Sequence, residues 1–245
     1  LLLSYGALLA APFIAVFLLL SFWKNSTENY YSEIMKNDLT EGRMAFEKQL
    51  DIMCAGAFSV SNDSDLKWVY FLDGLKDGDN NIAALIRCND MLRQTFADSE
   101  HYQNYSVIMK NELIFRKSGM VVGDKFFYDN YCTYQNTDFE TWRKQSFESN
   151  TWQLFPLEEI DTGERTFQAM TFSYPVRNYI QQEPEANAVV QFLLSKENLE
   201  QMFGQLLSRQ GGILIYDAED RLLASLGKIN ADGDDPENTD LFLSE

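Results

Sequence analysis

The sequence predicts an α+β chain: a membrane-spanning helix, a long stalk helix, and then an antiparallel sheet with helices laid across it. Three observations carry the expectation. Residues 1–23 hold no charged side chain. Apolar residues between positions 35 and 60 recur at helical spacing, and from Tyr105 the pattern shortens towards alternation, with turn-forming residues between the runs. The 245 residues carry 20 basic and 37 acidic side chains, a formal charge of −17, with 45% apolar and 14% aromatic content. This composition suffices for one or two folded domains and excludes global disorder. Its negative surface repels phosphate backbones, so no nucleic-acid contact is expected from this segment. A single histidine, His101, excludes multi-histidine metal sites and most imidazole-dependent triads.

Taken in order, residues 1–23 would make a helix of about 34 Å, enough to cross a bilayer core. Tyr5 and Trp23 stand near its ends, where amphipathic rings favour the headgroup boundary, and Lys24 follows as a snorkelling flank. Pro12 is tolerable in such a helix. A cleaved signal peptide fits less well, because its apolar core spans only about 7–15 residues. The chain starts without Met, so further residues are expected upstream. All the charge lies in the remainder, and an acidic body suits the outer face of a membrane better than the anionic inner leaflet. Cys54, Cys88 and Cys132 form neither a metal-knuckle spacing nor an even disulfide set, and read as buried free thiols. An exported domain that does without disulfides suggests a bacterium.

Met35, Leu39, Phe46, Leu50, Met53, Ala57 and Val60, with Gly42 in the vacant turn, make one stripe of a long helix over residues 24–60. That stripe suits a stalk packing along a partner, and homodimerisation through it is expected; an ordinary core helix fits equally well. Asn62, Asp63, Ser64 and Asp65 read as a capping turn, followed by an apolar run over 66–75 and a turn at 77–80. The next helix carries Ile82, Leu85, Ile86, Leu92 and Phe96. A hairpin is predicted around Lys110, Asn111 and Glu112, then an aromatic stretch after Gly123 and a short helix over 138–147. Residues 165–176 alternate, with Gln168, Met170, Phe172 and Tyr174 on one face. Residues 188–194 are a continuous apolar strand leading into a helix over 196–207, and 178–187 form a polar hairpin loop. A second hairpin spans 213–225, and the acidic residues 230–240 read as loop. A lone hairpin cannot bury a core of its own, so this last unit is expected to continue beyond residue 245. The domain organisation expected is therefore 1–23 membrane helix, 24–60 stalk, 61–195 sensor-like domain, and 196–245 connecting helix with part of a second domain.

This order of parts resembles a double Cache (PAS-like) extracellular sensor, and most nearly the membrane-bound AraC-type transcription regulators of Firmicutes. Leu2, Leu3, Ser4, Tyr5 and Pro12 resemble the opening of that family. Residues 105–119, Thr141 with Trp142, and the run Phe172, Ser173, Tyr174, Pro175 and Val176 resemble its membrane-distal Cache domain. Residues 195–203 and 211–227 resemble its inter-domain helix and the start of its membrane-proximal Cache domain. The resemblance implies a non-enzymatic receptor with DNA bound through a helix-turn-helix domain C-terminal to this segment. A sensor histidine kinase or chemoreceptor carrying the same ectodomain is the alternative. In amino-acid-binding Cache sensors an Arg and aromatics hold the carboxylate and an Asp of the last strand holds the amine. Trp142 and Arg143 resemble the first part, whereas the strand at 190–194 carries no acid.

A pocket of this type is apolar and aromatic with a few convergent polar groups. The candidate ligand-binding residues are Trp142, Arg143, Trp152, Gln168 and Tyr174, whose stacking and hydrogen-bonding capacity suits a sugar or small polar metabolite. Large rings between strands also serve as ordinary core. No catalytic residue, cofactor or metal ligand is expected. His101 lies in a polar run without apolar periodicity, and the acidic pairs at 77–81 and 232–234 lack the Gly and Glu that a calcium loop needs. An anchored extracellular hydrolase is the third reading, without a visible nucleophile and base.

Overall fold

The computed structural model describes residues 2–69, 78–96, 104–177, 186–209, 212–227 and 238–242; side chains at 2–15, 65, 68, 78–81 and 238–242 lie outside the description. The first element, α1 (Leu2–Asn62), is one uninterrupted helix of 61 residues, so the predicted membrane helix and stalk share one axis. Most of the predicted span falls on side chains outside the description. Among the described residues no helix is long and apolar enough to cross a membrane. The described part of that span, including Phe17, Leu19, Phe22 and Trp23, is exposed.

The predicted stripe is the buried face of α1. Phe46, Leu50, Met53, Ala57 and Val60 are in the core, with Met35 and Leu39 packed against it. The stripe packs as the core-helix alternative would have it, against the chain's own domain. The outer face of α1 retains Tyr30, Tyr31, Met44 and Phe58 as exposed apolar groups. Asp63 caps α2 (Ser64–Val69), its Oδ1 accepting from the Leu66 N–H at 2.9 Å. The expected apolar run continues into 70–75, outside the described residues, as do His101 and the loop 178–185. The helix α3 (Gly78–Thr95) begins inside the predicted turn, and its buried face is Ala84, Leu85, Cys88 and Leu92, with Phe96 just beyond it. Ile82 and Ile86 are exposed, against expectation, and Ala84 and Cys88 join Leu85 and Leu92 on the buried face in their place.

The sheet runs in the order β3-β2-β1-β7-β6-β5-β4. Its members are β1 (Tyr105–Met109), β2 (Leu113–Arg116), β3 (Gly119–Val122), β4 (Thr133–Tyr134), β5 (Gln153–Asp161), β6 (Thr166–Val176) and β7 (Ala188–Ser195), all paired antiparallel. Between β3 and β5 come α4 (Asp124–Tyr131) and α5 (Phe139–Glu148). Strand alternation divides the side chains between two layers. Val107, Met109, Leu113, Phe115, Met170, Phe172, Val190 and Phe192 join α1 and α3 in one cluster. Ile108, Ile114, Ala169 and Val189 face the other way, against Phe127, Tyr128, Tyr134, Trp142 and Phe147 of α4, β4 and α5.

The single helix expected over 196–207 is broken into α6 (Lys196–Met202) and α7 (Gly204–Ser208), with Phe203 at the break. The Phe203 ring lies directly over Gly42 of α1, and a Cβ there would overlap it. Arg209, just past α7, donates from Nε to the buried Asp38 carboxylate on α1 at 2.9 Å. The final unit is a three-stranded sheet ordered β10-β8-β9, with β8 (Gly212–Tyr216) antiparallel to β9 (Leu222–Gly227) and parallel to β10 (Asn238–Phe242). Residues 238–240 are thus strand rather than loop. Ile213, Ile215, Leu223 and Leu226 belong to the same apolar cluster as α1, so the described part of this unit is anchored on the stalk-side core.

Candidate functional site

The apolar sheet is interrupted on one face by a row of polar residues that crosses five strands. The register pairs Gln153 with Ser173, Ser173 with Gln191, Gln191 with Ser106, and Ser106 with Arg116. The row lies on the face covered by α4 and α5. Ser173 and Gln191 are buried there, although β7 is otherwise apolar over its central residues. A buried amide in such a strand is costly unless both ends of it are hydrogen-bonded.

The helix α5 forms where Asp138 caps it, the carboxylate accepting from the Thr141 N–H at 2.8 Å. That N–H and the Thr141 hydroxyl hold the Asp138 carboxyl below its ordinary range. Trp142 and Ser146 follow one turn apart and so project from the same side of the helix onto the sheet. The Gln191 amide donates from Nε2 to Ser146 Oγ at 2.9 Å. Its Oε1 has no hydrogen-bond partner, and neither has the Trp142 indole Nε1, although both are buried. The rings of Phe127, Tyr128 and Phe139 surround Trp142 at centroid distances of 6.2, 5.4 and 6.0 Å.

Further along the layer, Tyr134 Oη and Thr171 Oγ1 share a buried hydrogen bond of 2.9 Å. Burial drives the Tyr134 phenol well above its ordinary pKa and pushes the Cys132 thiol up to about 12. Both stay protonated, and Cys132 is inert as a nucleophile. Cys88 is buried as expected and Cys54 is half-buried; all three cysteines are free. Burial also raises Tyr128, whose hydroxyl donates to the Thr137 carbonyl.

The charged groups at the border are already engaged. Arg143 donates from Nε to Asp124 at 2.6 Å and lies over the Phe147 ring, tying α5 to the start of α4. Arg116 stacks on the Tyr131 ring at 4.0 Å and meets Glu164 at 3.4 Å. Glu158 accepts from the Asn136 N–H at 3.0 Å and the Thr137 hydroxyl at 3.1 Å. At the tip of the β5–β6 hairpin, Gly163 takes φ 74° and abuts the Asn130 carbonyl of α4, where a side chain would clash. A shallow groove of about 330 Å³ also runs along α5, lined by Glu140, Thr141, Arg143, Lys144, Phe147 and Glu148. Its charges are of both signs.

The five residues picked out from sequence do not converge. Trp142 and Arg143 lie on the α5 side. Gln168 and Tyr174 share the stalk-side face with Phe172, and Trp152, 40% exposed, stacks on Phe172 from that side at 5.7 Å. Gln168 is exposed and accepts from Lys196 Nζ at 3.1 Å. The sheet separates the two groups. Gln191, Ser173, Ser146 and the Tyr134–Thr171 pair were missed, yet Gln191 was visible as the one amide inside an apolar strand. Among the described residues no cluster of His, Cys, Asp or Glu is placed to hold a metal ion.

No family model matches the chain, and no curated protein does. Solved structures give loose likenesses. The sensory domain of the Campylobacter jejuni chemoreceptor Tlp3 with isoleucine bound is 14% identical, with 77% of this chain and 73% of that one covered at a TM-score of 0.38. The periplasmic domain of Vibrio cholerae LuxQ is 10% identical, with 82% and 80% covered at 0.41. The Tlp3 ligand-binding domain with L-valine is 13% identical, with 80% and 79% covered at 0.38. Superpositions this loose transfer neither ligand nor activity to this chain.

Proposed function

We propose that this chain is the extracytoplasmic ligand-sensing region of a bacterial transmembrane signalling protein, anchored by residues 1–23, and that it is not an enzyme. One observation carries the reading: a buried polar layer between α5 and the central strands leaves one donor, Trp142 Nε1, and one acceptor, Gln191 Oε1, unpaired. Such groups cost stability while they are unpaired, and a bound polar molecule that reached them would relieve that cost. A sugar or another small polar metabolite fits this demand. Trp142 and Gln191 are the contact residues, Arg143 is a tether between α4 and α5, and Trp152, Gln168 and Tyr174 lie outside the site.

The output has a built-in route. The strand β7 that carries Gln191 runs directly into α6, and the α6–α7 break is seated on α1 through Phe203 over Gly42 and Arg209 on Asp38. A ligand biases that route only by binding one arrangement of it better than the other. For the output we favour a one-component AraC-type regulator with DNA bound by a C-terminal domain, supported by the order of motifs described above. Self-association is retained as part of this reading, through the exposed face of α1 that carries Met44 and Phe58 rather than through its buried stripe.

The test is a thermal-shift screen of the full chain in detergent against small polar metabolites. At least one compound is expected to raise Tm, since binding to the folded form alone stabilises it. A complete absence of binders, or recovery of the chain as freely dissolved cytosolic protein, contradicts the proposal.

A further inference from the structure

Resting on the self-association in that reading, we infer that the partner is a second copy of this chain, and that the two α1 helices run parallel and in register along one heptad file. Beyond Trp23, the large apolar side chains exposed on the described part of α1 are Tyr30, Tyr31, Met44 and Phe58. Three of these four, Tyr30, Met44 and Phe58, fall on a single file of spacing seven, and the same file reaches back through Trp23 to Val16, both exposed. Its remaining members, Asn37 and Asp51, are exposed as well. The file lies on the side of α1 turned away from Phe46, Leu50, Met53 and Ala57, so the chain's own core leaves it bare. A straight helix drifts off a seven-residue repeat by about 20° per heptad. Such a repeat therefore stays on one side only where two helices wind around each other.

The file also selects its occupant. In a parallel, in-register pair each file residue meets its own copy, so one surface is complementary to itself. Tyr30, Met44 and Phe58 then pack on themselves. Asn37 meets Asn37, an amide pair that donates and accepts together and fixes both register and a two-stranded state. Beside the file, Lys36 faces Glu41 of the other copy, opposite in charge. Arg43 approaches Lys48 of the other copy but is held by Glu47 in its own helix at 2.7 Å. Orientation follows from the anchor, because two copies inserted through residues 1–23 point the same way. The area is in proportion. At about 150–250 Å² per ring, Trp23, Tyr30 and Phe58, exposed by 70%, 63% and 60%, bring on the order of 600–900 Å² from two copies. Val16, Met44 and the flanking stems raise this towards the about 1,200 Å² at which specific interfaces begin. Asp51 opposes its own copy, and that like-charge layer keeps the pair weak and reversible.

The experiment uses the full chain in detergent, with Cys54→Ser as background; Cys88 and Cys132 are buried and stay silent. Under copper-catalysed oxidation, Met44→Cys and Phe58→Cys should each give disulfide-linked dimers, while Ala45→Cys, exposed but off the file, should not. Sedimentation should find Met44→Glu monomeric with the wild-type Tm, since its side chain touches only solvent within one chain. Asp51→Leu should tighten the dimer by about tenfold or more, because it replaces the repelling layer with an apolar one. Cross-linking at position 45 in place of 44 and 58 overturns the inference and leaves self-association standing. So does linkage of Met44→Cys chains to Phe58→Cys chains without linkage within either set, which marks an antiparallel pair. An Asp51→Leu dimer no tighter than wild type places the seam elsewhere and overturns it likewise. A monomer in every case overturns the inference together with self-association, and the ligand-sensing reading is then decided by the metabolite screen alone.

Discussion

The two faces of the seven-stranded sheet are built to different rules. Towards α1, alternate residues of β1, β2, β6 and β7 are apolar almost without exception, and they merge with the stalk stripe into one cluster. Towards α4 and α5 the same strands carry Ser106, Arg116, Ser173 and Gln191 in register, under a roof of aromatic rings. The first face lowers the free energy of the folded chain through burial alone. The second gives part of that stabilisation away through polar groups that the empty fold does not fully satisfy. On the proposed reading the polar face serves recognition, and α1 packs on the stabilising face.

Alkali should break the comparison most severely, because Cys132 and Tyr134 both lie on the polar side. Their neutral forms are favoured in the fold, so the stability they contribute is complete below the ordinary thiol pKa of 9.0 and is lost as pH rises from there towards about 12. Melting curves from neutral to alkaline pH should show the fall, and Cys132→Ala should shallow it. A slope unchanged by that substitution would mean that Cys132 is not a source of it. On the apolar side, Phe192→Ala should cost about 3–5 kcal/mol in urea unfolding, since the ring is fully enclosed. A loss below about 1 kcal/mol would show that this face collapses around the gap and is less tightly packed than described.

A smaller effect is expected where the domain meets α1. Gly42→Ala forces a methyl into the Phe203 ring and should cost about 1–3 kcal/mol, with partial rescue by Phe203→Leu in the same chain. Strict additivity of the two changes would argue that the residues do not touch. Ser195→Ala removes the cap of α6, whose hydroxyl accepts from the Asn198 N–H at 3.3 Å, and should cost about 1 kcal/mol.

Much of this arrangement is legible in the residues. The α1 stripe, the β1–β2 hairpin and the capped α5 follow from local spacing, since each is set by contacts between near neighbours in sequence. What was hidden depends on distant pairing. The strand β5 contains Pro156 inside a register shift between Phe155 and Glu158, so its alternation is broken. The strand β10 pairs parallel with β8, a partner no local pattern announces. The break at Phe203, beside Gly204, coincides with the seat of its ring over Gly42, a contact that spans 161 residues of sequence. The site was half legible for the same reason. Trp142 stands out by type, but placing it and Gln168 on opposite faces requires the register of β6 against its neighbours, because a shift of one residue exchanges the two sides.

Ligand recognition at the α5 face requires that this face be costly in the empty protein. The most direct measurement is the urea stability of ligand-free Trp142→Phe, which removes the unpaired indole N–H while retaining a large ring. The expected result is a loss of no more than about 2 kcal/mol, the cost of the smaller buried ring alone, since no hydrogen bond is lost. A loss of about 4 kcal/mol or more would mean that the N–H is paired and the layer is structural, and the claim would be contradicted.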